Sequence, residues 1–196
     1  MSRRKPKSAG ELMKELESDQ DYRAAVAERD RKLAQVEQEL SRAEQPVVRA
    51  LSEVGVQVES VWDLVNTSSD YSGAVPVLED HLRDASYPDR VREGIARSLS
   101  FPKAAAAWPT IIDLYRSTTD SFDLQQGLAA AMAGTVTEAT LDELVTEARR
   151  DAHGESRLIL LLGLQRLRSP AATRALEGFA DDPELGRTAA RLLRKR

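Results

Sequence analysis

A short phrase recurs along this chain at a spacing of 33 residues. Ala74-Val75-Pro76-Val77-Leu78 returns as Ala107-Trp108-Pro109-Thr110-Ile111, and Val91-Arg92-Glu93-Gly94-Ile95 returns as Leu124-Gln125-Gln126-Gly127-Leu128. A unit of this length cannot bury its apolar face alone. It must stack on neighbours of the same kind, so a fixed period restricts the chain to a stacked-repeat architecture.

The period extends beyond these two copies. Pro46, Pro76 and Pro109 fall near the starts of successive first helices, where proline is tolerated. Val48, Leu78, Ile111, Leu144 and Leu176 take one core position in those helices. Trp62, Ile95, Leu128, Leu160 and Ala190 take the matching position in the second helices, and Leu99, Met132 and Leu164 form a further row. The reading is five helix pairs, near 46–67, 73–100, 104–134, 138–168 and 170–195. Ser86-Tyr87-Pro88-Asp89, Ser169-Pro170 and Asp182-Pro183 supply capping side chains beside prolines. Thr140 and Glu143 have the spacing of a capping box. Val54 to Val58 alternates briefly, and Gly55 marks it as a helix junction. Gly94 and Gly127 recur inside second helices, where glycine costs about 1 kcal/mol against alanine. Their recurrence predicts close helix–helix approach.

The N-terminal part has another character. Residues 1–10 read as a disordered basic tail, and residues 11–45 as one long helix rich in Ala, Glu, Arg and Leu. Val26, Leu33, Leu40 and Val47 recur every seven residues. Val36 and Leu51 widen the stripe, while Leu12, Leu16 and Tyr22 mark it sparsely before Val26. This is a narrow coiled-coil type seam. Pairing with a second copy, as a homodimer, and folding back as a cap are the two readings open to it. Pro46 is expected to close this helix and open the repeats.

The repeat resembles the HEAT repeat, in the short bacterial form related to the lyase-like HEAT family, over residues 46–196. Val75 to Leu82 carries the resemblance in a first helix. Asp89, Val91, Arg92, Gly94-Ile95-Ala96 and Leu99 carry it in a second helix. Arg157, Leu160 and Leu164 repeat the second-helix phrase, as do Arg187 and Ala189-Ala190. The resemblance implies an all-α fold: an armadillo-like α-solenoid of about five HEAT-type helix pairs behind the long N-terminal helix. It also implies a ladder of Asp and Arg between repeats. Gln125 stands where one ladder arginine would be, and Glu59 stands in the first copy. A local change of curvature is expected at those two joints. HEAT arrays serve many functions, so the resemblance speaks to fold.

Composition fits a thin stack. The 196 residues are 41% hydrophobic and 31% charged with 5% aromatic, so Leu, Ala and Val must fill the core. Residues 60–148 carry 14 acidic and 6 basic side chains, and residues 149–196 carry 6 acidic and 11 basic. This polarity along the chain can steer a charged partner. It also fits a terminal repeat with a solvated outer face. The net charge of −4 and the acidic middle argue against generic nucleic-acid binding. Absence of cysteine excludes disulfides and thiol catalysis. MSRRKPKSAG has no apolar stretch behind it, as a secretory signal would, and Leu158 to Leu162 is too short to span a bilayer. A cytoplasmic location is expected.

No constellation points to catalysis. His81 and His153 belong to different repeats, one on a helix surface and one in a turn. Glu79-Asp80, Asp142-Glu143 and Asp181-Asp182 are adjacent pairs that do not face each other on a helix. No glycine-rich phosphate loop or nucleophile elbow occurs. Catalytic, cofactor and metal residues are therefore expected to be absent. Trp62 and Trp108 are expected in the core. The candidate recognition residues are Arg97, Arg157, Arg166, Arg187 and Arg191, on second helices, because the arginine fork suits carboxylate or phosphate. Arg92, Arg157 and Arg187 also hold the ladder position, where a packing role competes. The expected function is a non-enzymatic protein-interaction module: a scaffold, an adaptor, or an inhibitor or immunity-type binder of another protein. The alternative is a nucleic-acid-binding relative of HEAT-like DNA glycosylases, drawing on the Arg-rich end and the tail Arg3-Arg4-Lys5-Pro6-Lys7. The chromophore-lyase activity suggested by the family name has no residue here that speaks for it.

Overall fold

The computed structural model describes residues 10, 19–65 and 67–195. The expected basic tail, Leu12, Leu16 and Arg196 lie outside these residues. Among those described, all regular structure is helical. The chain divides into two compact units, residues 1–42 and 43–196.

Helix α1 (Gln20–Glu53) has 34 residues and carries this division within its length. It opens on Asp19, whose carboxylate accepts from the amides of Asp21 and Tyr22 at 2.9 and 3.1 Å, as an N-cap does. Pro46 does not close it: the helix runs through that residue to Glu53. An interior proline costs about 3 kcal/mol. Burial of Val47 and Leu51, both 0% exposed, offsets much of this, at about 1.5–3 kcal/mol for each large side chain. The buried carboxylate of Glu44 helps by accepting from Ser60 Oγ at 3.0 Å and the Val61 amide at 3.2 Å. In the first unit, Leu33 and Val36 of the seam are exposed. Gly55 turns the chain with a left-handed φ of 85°.

Among the described residues of the second unit nine further helices follow: α2 (Trp62–Val65), α3 (Val75–Arg83), α4 (Asp89–Ser98), α5 (Trp108–Ser117), α6 (Phe122–Thr135), α7 (Leu141–Ala148), α8 (Arg157–Leu167), α9 (Pro170–Glu177) and α10 (Gly186–Leu193). Short 3-10 turns precede α3, α5, α7 and α8. Helices α3/α4, α5/α6, α7/α8 and α9/α10 pack as sequential pairs. The second members also pack on one another in order, α2 on α4, α4 on α6, α6 on α8 and α8 on α10.

The period places the core where expected in the middle copies. Leu78, Ile111, Leu144 and Leu176 are fully buried, as are Ile95, Leu128, Leu160, Leu99, Met132 and Leu164. At the ends the register slips by one residue. Val47, Val61 and Ala189 are buried where Val48, Trp62 and Ala190 were expected. Trp62 is half-buried instead, with the Arg90 guanidinium 4.2 Å from its ring centre. Trp108 is in the core, and its indole N–H donates to Glu143 at 3.1 Å.

The recurring glycines mark close approach of second helices. A Cβ on Gly94 would lie 2.7 Å from Val61 Cγ2, and one on Gly127 would lie 2.9 Å from the Glu93 carbonyl oxygen. Among the caps, Ser169 accepts from the Ala172 amide at 3.1 Å, as its sequence predicts. The capping box near α7 uses Thr137 and Thr140 rather than Thr140 and Glu143. The 3-10 turn Glu138–Thr140 moves the helix start forward to Leu141, so the box closes one turn earlier.

Candidate functional site

The sequence singled out five arginines, and the structure sorts them. Arg157 is 2% exposed. Its guanidinium donates to Asp151 Oδ1 at 2.6 Å, to the Gly154 carbonyl at 3.2 Å and to Glu184. These bonds commit the Arg157 guanidinium to packing. Arg166 donates to the backbone carbonyls of Ala133 and Val136, tying α8 to the end of α6. Burial pulls its guanidinium below the usual arginine value. Arg97 is partly engaged. Its Nε donates to Glu93 at 2.8 Å, while its side chain borders a pocket of about 260 Å³ with Tyr71, Phe101 and Ala130. Glu93 is buried and is held from both sides, since Arg90 also reaches it at 2.5 Å.

Arg187 and Arg191 differ from the other three. Both are exposed, and neither has a hydrogen-bond or ion-pair partner among the described residues. Local sequence explains their direction. Asp182 Oδ1 accepts from the amides of Glu184 and Leu185 at 2.9 and 2.8 Å and starts the turn into α10. Hydrogen bonds from these amides hold the Asp182 carboxyl below the usual carboxylate range, despite the opposing effect of burial. Leu185, Ala189 and Leu192 then repeat at helical spacing and are buried. That phase turns Arg187, Arg191 and Arg194 outward, where with Thr188 they border a groove of about 250 Å³.

A second cluster, not seen in the sequence, lies inside. His153 was read as a turn histidine, yet it is 7% exposed. Gly154, with a left-handed φ of 52°, bends the turn so that the neighbouring ring faces inward. His153 Nε2 lies 3.0 Å from Glu147 Oε2, and its Nδ1 lies 3.2 Å from Gln125 Nε2. Glu147 is fully buried, also accepts from Arg116 at 2.7 Å, and forms an ion pair with Arg150 at 3.3 Å. Burial pushes its carboxyl up, but the hydrogen bonds from Arg116 and His153 and the charges of Arg116 and Arg150 together hold it below its ordinary value. Tyr115 packs on His153 at 4.4 Å between ring centres, and its hydroxyl pairs with Ser156 Oγ at 2.7 Å. Burial pushes the Tyr115 hydroxyl up to about 12.

Ser156, His153 and Glu147 have the residue types of a hydrolytic triad without its geometry. Ser156 Oγ donates to the His153 backbone carbonyl at 2.7 Å, not to the imidazole. The nucleophile–base hydrogen bond on which such chemistry depends is therefore missing. The buried polar atoms are mutually satisfied, as in a packing network. The other histidine, His81, pairs through Nδ1 with the Tyr87 hydroxyl at 2.7 Å. Among the described residues, no three His, Cys, Asp or Glu side chains converge as metal ligands. Likewise, no helix among them is long and apolar enough to cross a membrane.

No family model, no curated protein and no solved structure matches this chain.

Proposed function

We propose that residues 46–196 form an α-solenoid of about five HEAT-type helix pairs that acts as a non-enzymatic protein-interaction module in the cytoplasm. One observation carries this reading. Arg157 and Arg166 on α8 are bound to Asp151, Glu184 and the end of α6, while Arg187 and Arg191 on α10 face solvent without an internal partner. Stacked helix pairs offer a continuous surface, and its unpaired charges are the ones left for recognition. A scaffold, adaptor or occluding inhibitor all fit a module of this kind.

The test is affinity capture. The full chain is immobilised, exposed to extract of the native cell over several salt concentrations, and the retained protein is identified by mass spectrometry. A single stoichiometric protein partner, retained at moderate salt, is expected. Retention of nucleic acid with steep salt dependence, and of no protein, would contradict the reading and favour the nucleic-acid alternative.

A further inference from the structure

The exposed arginines of α10 give the chemistry of the partner, and this inference rests on the protein-interaction reading above. In α8, Arg157 reaches 27 residues forward to Glu184, in the turn that leads into α10. That guanidinium meets a carboxylate ahead of α10, whereas Arg92 at the matching position of α4 meets the Leu82 carbonyl. Arg187 recurs 30 residues after Arg157 in sequence, but it is exposed where Arg157 is buried, because the buried positions of α10 are shifted by one residue. No described carboxylate answers Arg187.

The acids nearest in sequence are already engaged. Asp182 is bound to the amides of Glu184 and Leu185, and Glu184 to Arg157. Arg191 and Arg194 follow Arg187 at one and two turns on the same face, a row of about 10 Å at 1.5 Å per residue. The groove they border also offers the Thr188 side chain. Three cations without counter-charges, aligned along one helix, suit a row of carboxylates at the same spacing. Arginine adds bidentate geometry to that match.

The acidic middle of the chain selects the class of polyanion. Residues 60–148 carry 14 acidic against 6 basic side chains. An extended nucleic acid lying along the chain would meet that charge, whereas a short acidic segment on α10 would not. We propose that the outward face of α10 receives an acidic segment of a partner protein. Its carboxylates pair with Arg187, and Arg191 and Arg194 extend the contact along the helix.

Fluorescence anisotropy on the full chain tests this with three probes. These are a labelled Ala/Glu peptide of about 20 residues, long enough to be helical, with Glu at i, i+4 and i+7; its Gln counterpart; and a single-stranded oligonucleotide of equal charge. The Glu peptide is expected to bind, the Gln peptide not to, and the oligonucleotide to bind more weakly. Arg187→Glu with Arg191→Glu is expected to weaken the Glu peptide at least about tenfold, as loss of two facing charge pairs would. Arg23→Glu with Arg42→Glu makes the same change of net charge on exposed positions of α1. It is expected to leave binding within about twofold. Circular dichroism of both variants checks that they fold. Equal loss in the two variants, or tighter binding of the oligonucleotide, would overturn the proposal. So would capture of the same cellular protein by the unaltered chain and the α10 variant alike, which leaves the interaction reading standing. Intact Glu-peptide binding with no protein captured from extract overturns the interaction reading instead.

Discussion

Gln125 donates its side-chain N–H to Nδ1 of His153 across 3.2 Å, joining α6 to the turn before α8. The same amide nitrogen donates to the Thr118 carbonyl at 3.2 Å, which closes the end of α5. Two acceptors facing one nitrogen fix the amide's orientation. Nδ1 of His153 must then be bare, and Nε2 carries the proton toward Glu147. In the preceding copy the same register holds Arg92, which donates to the Leu82 carbonyl at the end of α3. Gln125 keeps that backbone bond and adds a joint to the next repeat through a histidine.

Gln125→Leu removes the donor and leaves two acceptors buried. It is expected to cost about 1–3 kcal/mol, the penalty of stranding buried polar groups. Urea denaturation followed by circular dichroism measures it as a lower midpoint with an unchanged slope. A midpoint equal to that of the unaltered chain would show that the amide bridge contributes nothing.

Acid should loosen the same joint. The folded carboxyl of Glu147 is held below its ordinary value of 4.5. The stability it contributes is full above that value and is lost as pH falls through the folded pKa. Thermal melting between neutral pH and pH 3 is expected to show this loss, and Glu147→Gln to remove part of it. Equal acid sensitivity of the variant and the unaltered chain would remove Glu147 from the explanation.

Alkali tests the opposite sign. The Tyr115 hydroxyl is raised from 10.0 to about 12, so its contribution is intact below pH 10 and is lost as pH rises toward 12. Ultraviolet titration of tyrosinate should show a late-titrating group that disappears in Tyr115→Phe. A curve unchanged by that substitution would place the late group elsewhere.

The period made much of the fold legible. Leu78, Ile111, Leu144 and Leu176 are buried because each copy meets the same neighbours in the same phase. Phase was lost where an element departs from the repeat. Helix α1 runs through Pro46 and sets the position of Val47 from upstream, and α2 is one turn long, so Val61 rather than Trp62 enters the core. His153 escaped detection because its partners are distant in sequence: Gln125 is 28 residues away. Gln125, standing where the copies on either side carry Arg92 and Arg157, was the available signal, since a neutral amide there must find a polar neighbour. The five arginines could not be separated by type. Only packing shows that Arg157 is buried and that Arg166 bonds the end of α6, while Arg187 and Arg191 have no such partners.

Close approach of α6 to the segment that follows α4 gives a sharper test of the packing. A Cβ on Gly134 would lie 2.2 Å from the carbonyl carbon and 2.5 Å from Cα of Ser100, and backbone cannot move aside as a side chain can. Gly134→Ala is expected to cost about 1–3 kcal/mol through overpacking. Gly73→Ala meets nothing within 4 Å and serves as the control. Equal stability of the two variants in urea would contradict this close packing.

The seam on α1 bears on self-association. Leu33 is 60% exposed and Val36 is 53% exposed, an apolar pair on a charged helix. Pairing of two copies through this stripe predicts a mass of twice 21.6 kDa by light scattering. Leu33→Glu with Val36→Glu is expected to return the mass to that of one chain. The same mass before and after substitution would exclude the seam as the dimer contact.

Amide hydrogen exchange of the full chain, alone and saturated with its captured protein partner, bears most directly on the interaction surface. Slower exchange over residues 186–194, with the middle repeats unchanged, is the expected result. Protection confined to residues outside α10 would contradict it.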